Sequence, residues 1–190
     1  MKLVYVTVPG RGRIDDLVAE IVGAFSADGL RLAGTVRDGS VDPHRHRCDM
    51  DLRVLPDGPL FRISQPLGSG AKGCRLDGGI IETIAAEVEA RLHGADLLIV
   101  NKFGKQEAQG RGLRPAISMA MDMGIPTLVG VNEMNACDFR AFADGIAEPL
   151  APDLSTVRAW VESVQVARVH KKRQKALAIR DTFRASAATE

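Results

Sequence analysis

The apolar positions of this 190-residue chain fall into two alternating rhythms, short continuous runs and stripes at helical spacing. Asp96-Leu-Leu-Ile-Val-Asn101 is a continuous run with no alternation of faces, which predicts a parallel strand buried on both sides. Leu3–Val8, Leu30–Val36 and Ile125–Val131 read the same way, the last tolerating Pro126 near its start. Between them come helical stripes. Ile14, Leu17, Val18, Ile21, Val22 and Phe25 form one, with Asp15 and Asp16 in its first turn; Ile80, Ile81, Ile84, Ala85, Val88 and Leu92 form another, over 78–92. Asp77 is the natural N-cap of that second helix. Further helices are predicted over 113–123 and 136–147, and Asp153 caps one carrying Val157, Trp160, Val161 and Val164. Met119, Met121 and Met123 alternate within their helix, and core packing is the reading for most of them.

Residues 50–55 and 60–64 flank Pro56-Asp-Gly-Pro59, a turn that predicts an antiparallel hairpin. The polar stretch 37–47, with Pro43, reads as a surface excursion. Strands alternating with helices around one hairpin predict an α/β fold, a mostly parallel sheet with helices on both faces. Residues 1–150 form the ligand-binding domain, and 151–190 a C-terminal helical extension ending in a basic tail, His170–Lys175. In such sheets ligands bind at the carboxyl ends of strands. The candidate edge is where the loops after Val8, Asn101 and Val131 meet the Gly68–Gly73 loop.

Composition narrows the function. Lys and Arg number 25 against 24 Asp and Glu, so no global charge argues for nucleic acid or a membrane surface. Six Phe, one Tyr and one Trp are few for stacking on bases. No apolar run approaches the roughly 18 residues of a membrane span, and the first residues lack a signal peptide. Three cysteines without a CxxC pair fit a reduced cytoplasmic protein. Assembly into a homo-oligomer is compatible with all of this.

The densest polar stretch follows Asn101: Lys102, Lys105, Glu107, Arg111 and Arg114, with glycines between, leave the strand end as a charged loop. The first loop, Val8-Pro-Gly-Arg11-Gly-Arg13, is short and lacks the Lys-[Ser/Thr] pair with which a Walker A loop holds phosphate and magnesium. It puts Asp15-Asp16 where the magnesium-binding hydroxyl is expected. Arg11 or Arg13 could still meet an anion at the helix N-terminus. Asn101 stands where a phosphate-hydrolysing sheet ends in an acid. Gly70, Lys72, Gly73 and Arg75 offer a second cradle of backbone amides and cations, and Glu107 reads as the counter-ion of Lys105 or Arg111. His44, His46 and Cys48 are acceptable zinc or copper ligands, but polar loops usually solvate such residues.

Taken together, C-D-M-D-L at 48–52, I-S-Q-x-L-G at 63–68, G-C-R-L-D at 73–77 and N-K-F-G-K-Q-E-A-x-G-x-G-L-R at 101–114 resemble a bacterial family of unknown function whose genes lie near molybdenum-transport and nitrogenase-type clusters. The resemblance implies a P-loop-like α/β fold and a link to molybdate or another metal oxyanion. The sheet order is also similar to that of the small nucleoside-triphosphatases. The expectation is therefore a cytoplasmic accessory protein in metal handling that binds a small anion, a nucleotide or molybdate, at a degenerate P-loop site. A non-standard nucleoside-triphosphatase or phosphotransferase is the alternative.

Overall fold

The computed structural model describes residues 2–10, 12–39, 50–65 and 76–167. Along them run β1 (Leu3–Val6), α1 (Arg13–Ala27), β2 (Leu32–Arg37), β3 (Asp51–Leu55), β4 (Leu60–Arg62) and α2 (Gly78–Arg91). Then come β5 (Leu97–Phe103), α3 (Lys105–Ala108), α4 (Arg114–Asp122), β6 (Thr127–Val131), a 3-10 turn (Glu133–Asn135), α5 (Ala136–Ala143) and β7 (Ala147–Leu150). A last helix, α6, covers 154–167.

The strands form one sheet in the order β4-β3-β2-β5-β6-β1-β7. From β2 to β7 every pairing is parallel, while β3 pairs antiparallel with β2 and with β4, giving the expected hairpin. The chain leaves β1 over β6 and β5 to reach β2, and leaves β6 in the other direction to reach β7. The crossover sense reverses between β1 and β6, a topological switch point.

Burial follows the predicted rhythms. Leu97 and Ile99 pack with the α1 stripe and with Val157 and Val161 of α6, whereas Leu98 and Val100 pack with α2, α4 and α5. Each face of β5 is thus covered, which is why its residues are apolar without alternation. Asp77 caps α2 by accepting hydrogen bonds from the backbone N–H groups of Gly79 and Ile80. Asp153 does the same for α6 through Thr156 N–H at 2.8 Å.

Two expectations change. The helix predicted to reach residue 147 stops at Ala143, because Asp144 and Gly145 turn left-handed (φ 42° and 77°) and release Ala147–Leu150 as an edge strand beside β1. Pro149 is tolerated there because an edge strand leaves one row of N–H groups unpaired. Met119 and Met123 are 40% and 43% exposed, since Ala116, Ile117 and Ala120 form the inward side of α4; only Met121 packs against the core.

Gly34 shows how closely β2 and β5 approach. Its φ is +117°, and a Cβ there would collide with the Ile99 carbonyl. Gly34→Ala is expected to cost about 2–4 kcal/mol, from strain and overpacking together. Urea denaturation checks this, and a loss under about 0.5 kcal/mol would show that the strands can separate without penalty.

Candidate functional site

Asp15, on the first turn of α1, is 4% exposed. A carboxylate so buried requires partners, and the ends of two neighbouring strands supply them. The Asn101 side-chain amide donates to its Oδ1 at 2.9 Å. Lys102 Nζ at 2.7 Å and Arg37 Nη1 at 3.0 Å both bond its Oδ2. Asn101 is held in turn: its Oδ1 accepts from the Arg37 backbone N–H at 3.3 Å, and its own N–H reaches the buried Thr35 hydroxyl at 3.4 Å.

Consecutive strand residues ordinarily point to opposite faces, yet Asn101 and Lys102 both reach Asp15. An irregularity in β5 permits this. Val100 pairs with Val129 but Phe103 pairs with Val131, so one extra residue of β5 is accommodated at Asn101-Lys102. Gly130 opposite is required, because a Cβ there would strike the Asn101 carbonyl. Burial raises the Asp15 carboxyl pKa, but the hydrogen bonds from Lys102, Asn101 and Arg37 outweigh it and leave it below the usual Asp range.

This cluster lines a cleft of about 780 Å³. Asp15, Thr35, Arg37, Asp51, Asn101, Lys102, Gln106 and Glu107 are among its polar lining, and Leu52, Ile63, Leu76, Ile81, Ile84 and Leu113 among its apolar lining. Asp51 is offset by Arg62 at 3.4 Å.

The charged loop after β5 is arranged otherwise than expected. Glu107 is 5% exposed and is not the counter-ion of Lys105 or Arg111: its two oxygens accept the backbone N–H groups of Gly104 at 2.9 Å and Leu113 at 3.0 Å. The loop folds around this carboxyl, and Gly112, with φ 60°, passes too close to it for any Cβ. Burial raises the Glu107 pKa above its ordinary 4.5, and those backbone bonds only partly offset the effect.

The expected cations separate accordingly. Asn101 and Lys102 come together, and Glu107 lines the same cleft. Arg13, Lys105 and Arg111 are exposed and do not line it. Arg111 donates to Gln109, and Arg114 lies 4.6 Å over the Phe142 ring. Arg11, His44, His46, Cys48, Gly70, Lys72, Gly73, Arg75 and the tail from 168 lie outside the described residues. Two residues that the sequence did not single out for the site, Arg37 and Thr35, belong to it, and Asp15 changes role. The available sign was Asp15 itself, a charge at i, i+3, i+7 spacing with the buried Val18 and Val22.

A family described as "Protein of unknown function (DUF2478)" matches residues 3–160. The chain belongs to this family. It is also 35% identical over 148 residues to the molybdenum import ATP-binding protein ModC 2 of Bradyrhizobium diazoefficiens; the match covers 77% of this chain but spans only 16% of that relative. Among solved structures, THEP1 of Aquifex aeolicus superposes with a TM-score of 0.59 at 16% identity, covering 86% of this chain and 96% of that one. A human cancer-related nucleoside triphosphatase gives 0.53 at 17% identity, covering 78% and 87%. These likenesses establish the fold of the family member.

P-loop triphosphatases hold magnesium through a loop hydroxyl and an acid ending a neighbouring strand. Here Asn101 occupies that place two residues before the end of β5, and both Asp15 oxygens are engaged. Among the described residues no group of three His, Cys, Asp or Glu side chains is placed to hold a metal ion. The described residues around Asp15 do not fit a divalent cation.

Two of the buried carboxyls, Asp15 and Glu107, predict opposite pH effects. Asp15, with its pKa lowered, stabilises the fold above its unfolded value of about 3.9 and loses that contribution as pH falls through the folded value. Asp15→Asn is expected to cost about 1–3 kcal/mol at neutral pH, discounted because Lys102 and Arg37 are partly exposed. Urea titrations should show the gap shrinking below about pH 4; a gap that does not change with pH would exclude the ion pairs as its source. Glu107, with its pKa raised, loses stabilising power as pH rises from its ordinary 4.5 through the folded value. Glu107→Gln is therefore expected to gain on the wild type across that window in the same titrations, and a falling curve would contradict the assignment.

Proposed function

We propose that this protein binds a nucleotide-sized anion, its charged end held by Arg37 and Lys102 and its less polar end received by the apolar part of the cleft. The observation that carries the reading is the placement of these two cations side by side on Asp15, in the lining of the cleft. Lys102 spends one of its three donors on Asp15 and Arg37 one of its five, so each retains hydrogen-bonding capacity toward a ligand. The volume favours a nucleotide over a bare oxyanion. A molybdate has five heavy atoms, whereas a cleft of about 780 Å³ lies in the range of roughly 300–1,000 Å³ that suits drug-sized ligands.

The fold shared with a nucleoside triphosphatase and the relative named as an ATP-binding protein of molybdenum import support the same ligand class. On this reading the protein is a cytoplasmic accessory factor in metal-oxyanion handling, and binding has replaced hydrolysis. Phosphoryl transfer ranks second, because Asn101 replaces the acid it requires and Glu107 is committed to backbone amides.

A thermal-shift panel of ATP, GTP, phosphate, sulfate, molybdate and tungstate tests the proposal. ATP or GTP is expected to raise the melting temperature, since ligand at 100 times its Kd adds about 2.7 kcal/mol, and Arg37→Ala should abolish the shift. Stabilisation by molybdate alone would replace the nucleotide with an oxyanion, and no shift with any of the six would overturn the site.

A further inference from the structure

We infer that Lys102, together with Arg37, stands in for the divalent cation of the fold, so that a phosphate-bearing ligand is held without magnesium. This rests on the nucleotide-binding reading above and specifies how the charge of that ligand is neutralised. The charge total is the first argument. Magnesium would bring two positive charges to Asp15; Lys102 and Arg37 bring the same two, at 2.7 and 3.0 Å from one carboxylate oxygen.

Asn101 is the second argument. An acid in its place would put a second carboxylate against Asp15, a pairing that only a strong cation between them would relieve. The amide instead donates to Asp15 Oδ1 and accepts from the Arg37 backbone, which leaves its carbonyl oxygen occupied. Asn101 and Lys102 are therefore one substitution in chemical terms: the acid becomes neutral and the cation becomes part of the chain. A magnesium ion added beside them would meet a cluster with a net positive charge, two cations against one carboxylate, and would be repelled. Asp15 and Asn101 are positioning residues, and Lys102 and Arg37 are the groups that face the ligand.

Isothermal titration of the full chain with ATP, once in excess EDTA and once in excess magnesium chloride, decides the matter. The expected result is binding in EDTA that is equal to or tighter than in magnesium, because free magnesium competes for the phosphates. Lys102→Met should lose at least about tenfold in EDTA, and Lys102→Arg should retain most of the affinity; a purely structural lysine would leave the EDTA affinity of a folded Lys102→Met protein unchanged, which overturns the inference. Circular dichroism confirms that each variant is folded. Binding that appears only with magnesium overturns this inference while leaving the nucleotide site standing. Absence of binding in both arms overturns both.

Discussion

Asp15 is a full charge placed at the junction of a helix and a parallel sheet, and the burial of that charge is the constraint the candidate site depends on. Moving an isolated carboxylate into such a place would cost far more than a domain's net stability. The surrounding chain answers with an amide and two cations drawn from two strands. Satisfying Asp15 obliges β5 to accommodate an extra residue, obliges Gly130 to lack a side chain, and draws Arg37 back over the end of β2. Several local irregularities therefore trace to one electrostatic requirement.

The same requirement sets the chemistry available. A carboxylate with both oxygens engaged is a poor metal ligand and a poor base, and its lowered pKa means it stays ionised through the physiological range. It can, however, hold two cations at a fixed separation before any ligand arrives. Preorganised charge of this kind favours binding because little ordering cost remains to be met when the ligand arrives. Glu107, a few residues along, is the opposite case: a carboxyl buried among backbone amides, which shapes its loop and carries the raised pKa of a group short of cationic partners.

Much of the architecture could be read directly from residue spacing. The run Leu97–Val100, the stripe from Ile14 to Phe25, the Pro56–Pro59 hairpin and the Asp77 cap all appear where spacing placed them. Strand β7 did not. Ala-Glu-Pro-Leu carries no strand signal, and it pairs because β1 offers a free edge. The reading of the charged loop erred for a related reason. Composition counts cations but does not say which way they point, and here the loop turns its carboxyl inward while Lys105 and Arg111 face outward.

What the sequence alone determined was the alternation of strand and helix and the family motifs, while β5 runs to Phe103, two residues past the end expected at Asn101. These are encoded in neighbouring residues, where apolar periodicity and turn chemistry operate. Only the tertiary structure decided what Asp15 is for. Its partners lie 22, 86 and 87 residues away, and nothing local distinguishes a solvated first-turn aspartate from the buried centre of a charge cluster. The sheet order brings β2 and β5 side by side beneath α1, and that adjacency converts three separate polar residues into a site.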